Sequence, residues 1–138
     1  MTVNAIKFPV LRFSQNLVGV ERTEDDLTTC TKVALKKGFF DEMLVVEESG
    51  KSYKVKGAKK LHGVGPFGGY NIFLNQMIKV ELLFEGNPFQ INVDEVKRRV
   101  LLSFKKRHGW STRGDFEELR ERVKNAKGIL EIIQLLSE

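Results

Sequence analysis

The stretch Met77-Ile78-Lys79-Val80-Glu81-Leu82-Leu83-Phe84-Glu85 alternates apolar and charged side chains. A period of two puts Ile78, Val80, Leu82 and Phe84 on one face and Lys79, Glu81 and Glu85 on the other, as in a strand with one face buried and one wet. A helix would scatter the same residues around its circumference. The chain therefore carries a sheet, and the flanking segments are assigned by how they could join it.

Immediately upstream, Tyr70 to Leu74 and a polar Asn75-Gln76 turn would make this strand the return arm of a hairpin. Further upstream, Met43 to Glu47 is apolar, Glu48-Ser49-Gly50-Lys51 is a turn, and Ser52 to Lys56 returns with Tyr53 and Val55 on one face, which predicts another hairpin. Downstream, Gly86-Asn87-Pro88 reads as a turn before a last short strand with Phe89, Ile91 and Val93. Near the start, Ile6, Phe8 and Val10 share a face. Leu17, Val18 and Val20 follow a polar Ser14-Gln15-Asn16 break, giving one or two strands more.

Thr23 predicts a helix start, with Glu24, Asp25 and Asp26 in the first turn and an apolar stripe of Leu27, Cys30, Val33 and Ala34 that ends at Gly38. Asn92 and Glu95 have capping-box spacing for a helix running to about His108. Thr112 and Asp115 repeat that signature ahead of a stripe of Phe116, Leu119, Val123 and Ala126. Gly128 separates a final helix with Ile129, Ile132, Ile133 and Leu136. The expected fold is α+β: a small, mostly antiparallel sheet or open SH3-like barrel of about five strands, one N-terminal helix and a C-terminal group of about three helices. With 138 residues and no Pro/Ser-rich linker, residues 1–138 are read as a single globular domain, organised as strand and helix over 1–42, a β-rich middle over 43–93 and a helical tail over 94–138.

The charge distribution is uneven. Residues 23–50 hold seven acidic and three basic side chains, whereas 51–80 hold six lysines and no acid, and 96–114 hold seven basic residues and no acid. A net charge of +5 leans toward anionic partners. One cysteine, Cys30, rules out an intrachain disulfide and fits a reducing compartment. With no signal-like N-terminus and no apolar run near the about 20 residues that span a bilayer, the expected location is cytoplasmic, with no membrane partner.

Lys54, Lys56, Lys59, Lys60 and His62 are candidate contacts for an anion or an acidic partner, with Phe67 and Tyr70 of the glycine-rich stretch Gly63-Val64-Gly65-Pro66-Phe67-Gly68-Gly69-Tyr70 as candidate stacking rings. Lysines alternating with Tyr53 and Val55 are equally the ordinary wet face of a strand. The glycine spacing matches neither a phosphate-binding loop nor a dinucleotide fingerprint, both of which lead into a helix, so a bend between strands is the plain reading. On the helix near 94–108, Val96, Val100 and Phe104 share one face while Arg98, Arg99, Lys105 and Lys106 occupy the other, with Leu102 among them and Leu101 at their edge. We expect the C-terminal helices to cover Leu101 and Leu102, with a second copy of the chain as the other occupant for the tail stripes. The rival readings of Leu102 are an ordinary exposed leucine and, with Arg98, Arg99, Lys105 and Lys106, a docking spot for an acidic partner that brings an apolar group. Trp110, after the Gly109 stop, is a candidate anchor for a partner.

Neither His62 nor His108 lies in a cluster with metal-ligand spacing, and no catalytic constellation is evident, so no metal or cofactor is expected. These features lead to a non-catalytic module of the bacterial or phage accessory type (adaptor, inhibitor or immunity-like protein) that docks another macromolecule through a basic surface. The alternatives are a nucleic-acid binder using Lys51–Tyr70 and the 97–107 helix, and a small enzyme whose site is assembled from scattered residues.

Overall fold

A computed structural model describes residues 5–15, 17–64, 76–106 and 114–137, with Lys106, Gly114 and Asp115 entering as backbone alone. Strands β1 (Val10–Ser14), β2 (Leu17–Glu21), β3 (Thr29–Thr31), β4 (Met43–Glu47), β5 (Lys51–Gly63) and β6 (Met77–Gln90) form one antiparallel sheet in the order β2-β1-β4-β5-β6-β3, curled into a half-barrel. Helices α1 (Glu24–Thr28), α2 (Lys32–Lys36), α3 (Val93–Lys106), α4 (Gly114–Lys124) and α5 (Ile129–Ser137) complete the described residues. The α+β class is as expected, with six strands rather than five.

Alternation along the central strands separates two cores. Leu11 and Phe13 of β1 and Leu44 and Val46 of β4 face a cluster that includes Val96, Val100, Phe104, Val123 and Ile132 of the C-terminal helices. Val10, Met43 and Val45 face the other way, onto Tyr53, Val55, Ile78, Val80 and Leu82 within the curl. Every residue of β4 is buried, because both faces of the sheet are covered there. Ile78, Val80 and Leu82 point inward as their alternation predicts.

Three expectations are corrected. The single helix after Thr23 is two short helices with a strand between them. Thr28, Thr29 and Thr31 are β-branched and lose side-chain freedom in a helix, while Thr29–Thr31 can pair with Met77–Lys79 at the sheet edge. Two caps frame the break: the Thr23 hydroxyl accepts from the Asp26 N–H and the Thr31 hydroxyl from the Ala34 N–H, each at 3.1 Å. The turn expected at Gly86-Asn87-Pro88 is a bulge inside one continuous β6. Pairing passes from Ser52↔Phe89 to Lys54↔Glu85, so β6 carries two extra residues there. Gly86 supplies the left-handed conformation (φ +70°) and Pro88, which has no N–H, sits where a ladder donor is not needed.

The third correction concerns Leu102. Leu101 joins the helical core, but Leu102 is 41% exposed. On α3 it lies roughly opposite Val100 and Phe104, and the tail helices pack against that stripe and the β1–β2 hairpin instead. Strand β6 pairs with β5, which runs on to Gly63, and with β3 on its other side; the strand expected over Tyr70–Leu74, residues 65–70 of the glycine-rich stretch and the Thr112 cap lie outside the described residues.

Candidate cleft between α3 and the β1 and β4 strands

Helix α3 begins where the Asn92 side-chain oxygen accepts the Glu95 N–H at 2.9 Å, as the capping spacing implies. The Glu95 side chain does not complete the box. It turns along the helix, where Arg98 grips both its oxygens at 2.8 and 2.6 Å and Arg99 donates Nε–H at 3.1 Å. The Arg98 hydrogen bonds, with the charges of Arg98 and Arg99, hold the Glu95 carboxyl down at about 2. A folded-state value below the ordinary 4.5 means that the pairing stabilises the fold above pH 4.5 and is lost as pH falls toward 2. Solvent and salt screen it, so its weight in stability is small. An NMR carboxyl titration should place Glu95 near 2 in the wild type and return it toward 4.5 in Arg98→Ala; a wild-type midpoint already at 4.5 would mean the triad does not persist in solution.

Arg98, Arg99 and Leu102 then line a cleft of about 200 Å³ whose opposite wall is Phe13, Gln15, Asp41, Glu42 and Leu44. Two wall residues, Gln15 (φ 53°) and Glu42 (φ 57°), are the positive-φ non-glycine positions among the described residues. That conformation is uncommon for such side chains and persists where surrounding contacts enforce it. The Gln15 amide donates to the Lys37 carbonyl at 3.0 Å, and the adjacent Ser14 hydroxyl donates to the Phe39 carbonyl. These two bonds tie the β1–β2 turn to the loop that carries Asp41 and Glu42.

Glu42 also joins the cleft to the lysine-bearing strand. Lys54 Nζ lies 3.1 Å from Glu42 and 3.6 Å from Glu85, and these carboxylates, Glu42 first, raise the Lys54 pKa. Lys59 faces Glu81 at 3.9 Å across the ribbon, Lys60 donates to the Gln76 side-chain oxygen at 3.0 Å, and His62 Nδ1 lies 2.8 Å from the Gly63 carbonyl oxygen. Lys56 is exposed with no carboxylate in ion-pair reach among the described residues, and Lys105 is exposed on α3. Of the six lysines in the acid-free run, Lys54, Lys59 and Lys79 meet carboxylates from elsewhere in the chain, Lys79 on Asp25 at 2.7 Å, whereas Lys51, Lys56 and Lys60 have none in ion-pair reach among the described residues. Phe67, Tyr70, Trp110 and the Lys106 side chain lie outside the described residues.

Sequence reasoning found the α3 wall of the cleft but not Asp41, Glu42, Phe13 or Gln15, whose positions depend on the β1–β2 turn meeting the loop before β4. No three His, Cys, Asp or Glu side chains among the described residues are placed to hold a metal ion, and no described helix is long and apolar enough to cross a membrane. No protein-family model, curated protein or solved structure matches the chain.

Proposed function

We propose that this chain is a non-catalytic module that docks another protein, using the basic α3 surface and the cleft beneath it. The observation that carries this reading is Leu102, an exposed apolar side chain that lines one cleft with the charged residues Arg98, Arg99, Asp41 and Glu42. An apolar centre with a charged surround is the usual make-up of a protein interface. Phosphate binding is the weaker reading, since Lys54, Lys59, Arg98 and Arg99 already face carboxylates that a nucleic-acid backbone would have to displace.

Immobilised wild type and an Arg98→Glu/Arg99→Glu variant, both exposed to source-cell lysate with and without nuclease, test the proposal. A captured protein that survives nuclease and is lost from the variant supports it. Capture abolished by nuclease, with binding to arbitrary DNA that falls steeply with salt, transfers the reading to nucleic acid. Equal capture by both forms overturns the assignment of the surface. Leu102→Ala should stay within about 1 kcal/mol of wild-type stability, as an exposed substitution does, while weakening the same capture.

A further inference from the structure

The last residue of β4 is an acid inside a core. Glu47 shares a face with Met43 and Val45 and is only 3% exposed. One of its oxygens, Oε2, accepts the Tyr53 hydroxyl at 2.5 Å and the Lys7 backbone N–H at 3.1 Å. Nothing among the described residues donates to Oε1. The Tyr53 phenol is held protonated, since burial and the neighbouring carboxylate both raise its pKa well above the ordinary value. It supplies a hydrogen bond and no charge. A buried carboxylate without a cationic partner is costly, and the cost falls when a cation completes its hydrogen bonding.

Glu47 forms part of the wall of a cavity of about 350 Å³ that also meets Phe8, Pro9, Glu48, Lys7 and Lys51. That volume lies in the range of small-ligand pockets. Lys51 does not close the gap: its Nζ stands over the Tyr53 ring, 5.7 Å from the centroid. We propose that this cavity binds a small organic ligand bearing one primary ammonium group, with the ammonium on Glu47 Oε1 and the carbon chain against Phe8 and Pro9. Once the first ammonium is on Glu47, the two lysines Lys7 and Lys51 outweigh the one remaining carboxylate, Glu48, so the lining opposes a second positive charge and a monoamine is preferred to a diamine of equal length. The site is separate from the α3 cleft and stands whether or not that cleft docks a protein.

An amide NMR titration of the full chain with n-butylammonium tests it, run beside uncharged 1-butanol and 1,4-diaminobutane. Saturable shifts confined to residues 5–9 and 47–51, with butanol weaker by about tenfold or more as expected for losing a charged hydrogen bond, support the proposal. So does loss of those shifts in a Glu47→Gln chain whose spectrum shows it folded. No shifts, equal response to butanol, equal response to the diamine, or shifts spread over exposed acids such as Glu117 and Glu118 each overturn it. The ligand comparison uses wild type alone, so the decision survives a Glu47→Gln chain that does not fold.

Discussion

Ile132→Ala should lower the unfolding free energy by about 2–5 kcal/mol, the range for emptying a well-packed aliphatic site. Ile132 is fully buried, in the cluster where α5 meets Val96 and Val100 of α3 and Leu11 and Phe13 of β1. Its helix spans Ile129–Ser137, too short to be stable by itself, so packing must hold it in place. A cavity there loosens the tail and one face of the sheet together. Leu130, two residues away and 37% exposed, is the control: Leu130→Ala should cost less than about 1 kcal/mol. Urea unfolding of the two variants makes the comparison, and similar small losses in both would refute the docking of α5 described above.

Gly50→Ala is expected to be the next most damaging change. Gly50 has φ +91°, a conformation costing an L-residue about 1–3 kcal/mol. An added Cβ would also stand 2.5 Å from the Ile91 carbonyl oxygen and against the Gln90 side-chain amide. Gln90 can swing aside, giving up its 2.7 Å bond to the Ser49 carbonyl, but Ile91 is backbone and is fixed through its own N–H to the Gly50 carbonyl at 3.0 Å. The turn between β4 and β5 therefore has no inexpensive way to relax. At Gly128 an added Cβ meets nothing within 4 Å, so Gly128→Ala should lie within about 1 kcal/mol of wild type. Thermal or urea unfolding of the pair checks this, and a Gly50→Ala chain as stable as wild type would show that the turn adopts another conformation.

What could be read in advance was whatever a single segment decides. The alternation of 77–85, the Glu48–Lys51 turn, the caps at Thr23 and Asn92 and the stripes of α4 and α5 follow from local geometry and apolar spacing. What escaped depends on distant neighbours. Thr29–Thr31 is a strand because the edge of β6 offers it hydrogen bonds from about fifty residues away in the chain. Gly86-Asn87-Pro88 resembles a turn in any short window, and it is a bulge because β5 continues beside it.

The candidate site divides in the same way. Arg98, Arg99 and Leu102 share an arc that a helical wheel displays, whereas Asp41 and Glu42 reach them only through the tertiary fold. Glu47 left a signal that went unused. It continues the period-two series Met43, Val45, Glu47, which places an acid on a core-facing position. The acid-free lysine run shows no counter-charge in any short window, and the carboxylates that meet Lys54 and Lys59 come from Glu42, Glu81 and Glu85 through the tertiary fold.

The two-sided burial of β1 and β4 has a consequence for the order in which the protein can be made. Leu11, Phe13, Leu44 and Val46 leave the ribosome well before Val96, Val100, Val123 and Ile132, the side chains that will cover them. Until the tail is synthesised, a nascent sheet would present a greasy face to the cell. This is the kind of surface that chaperones shield and that drives association of partly made chains.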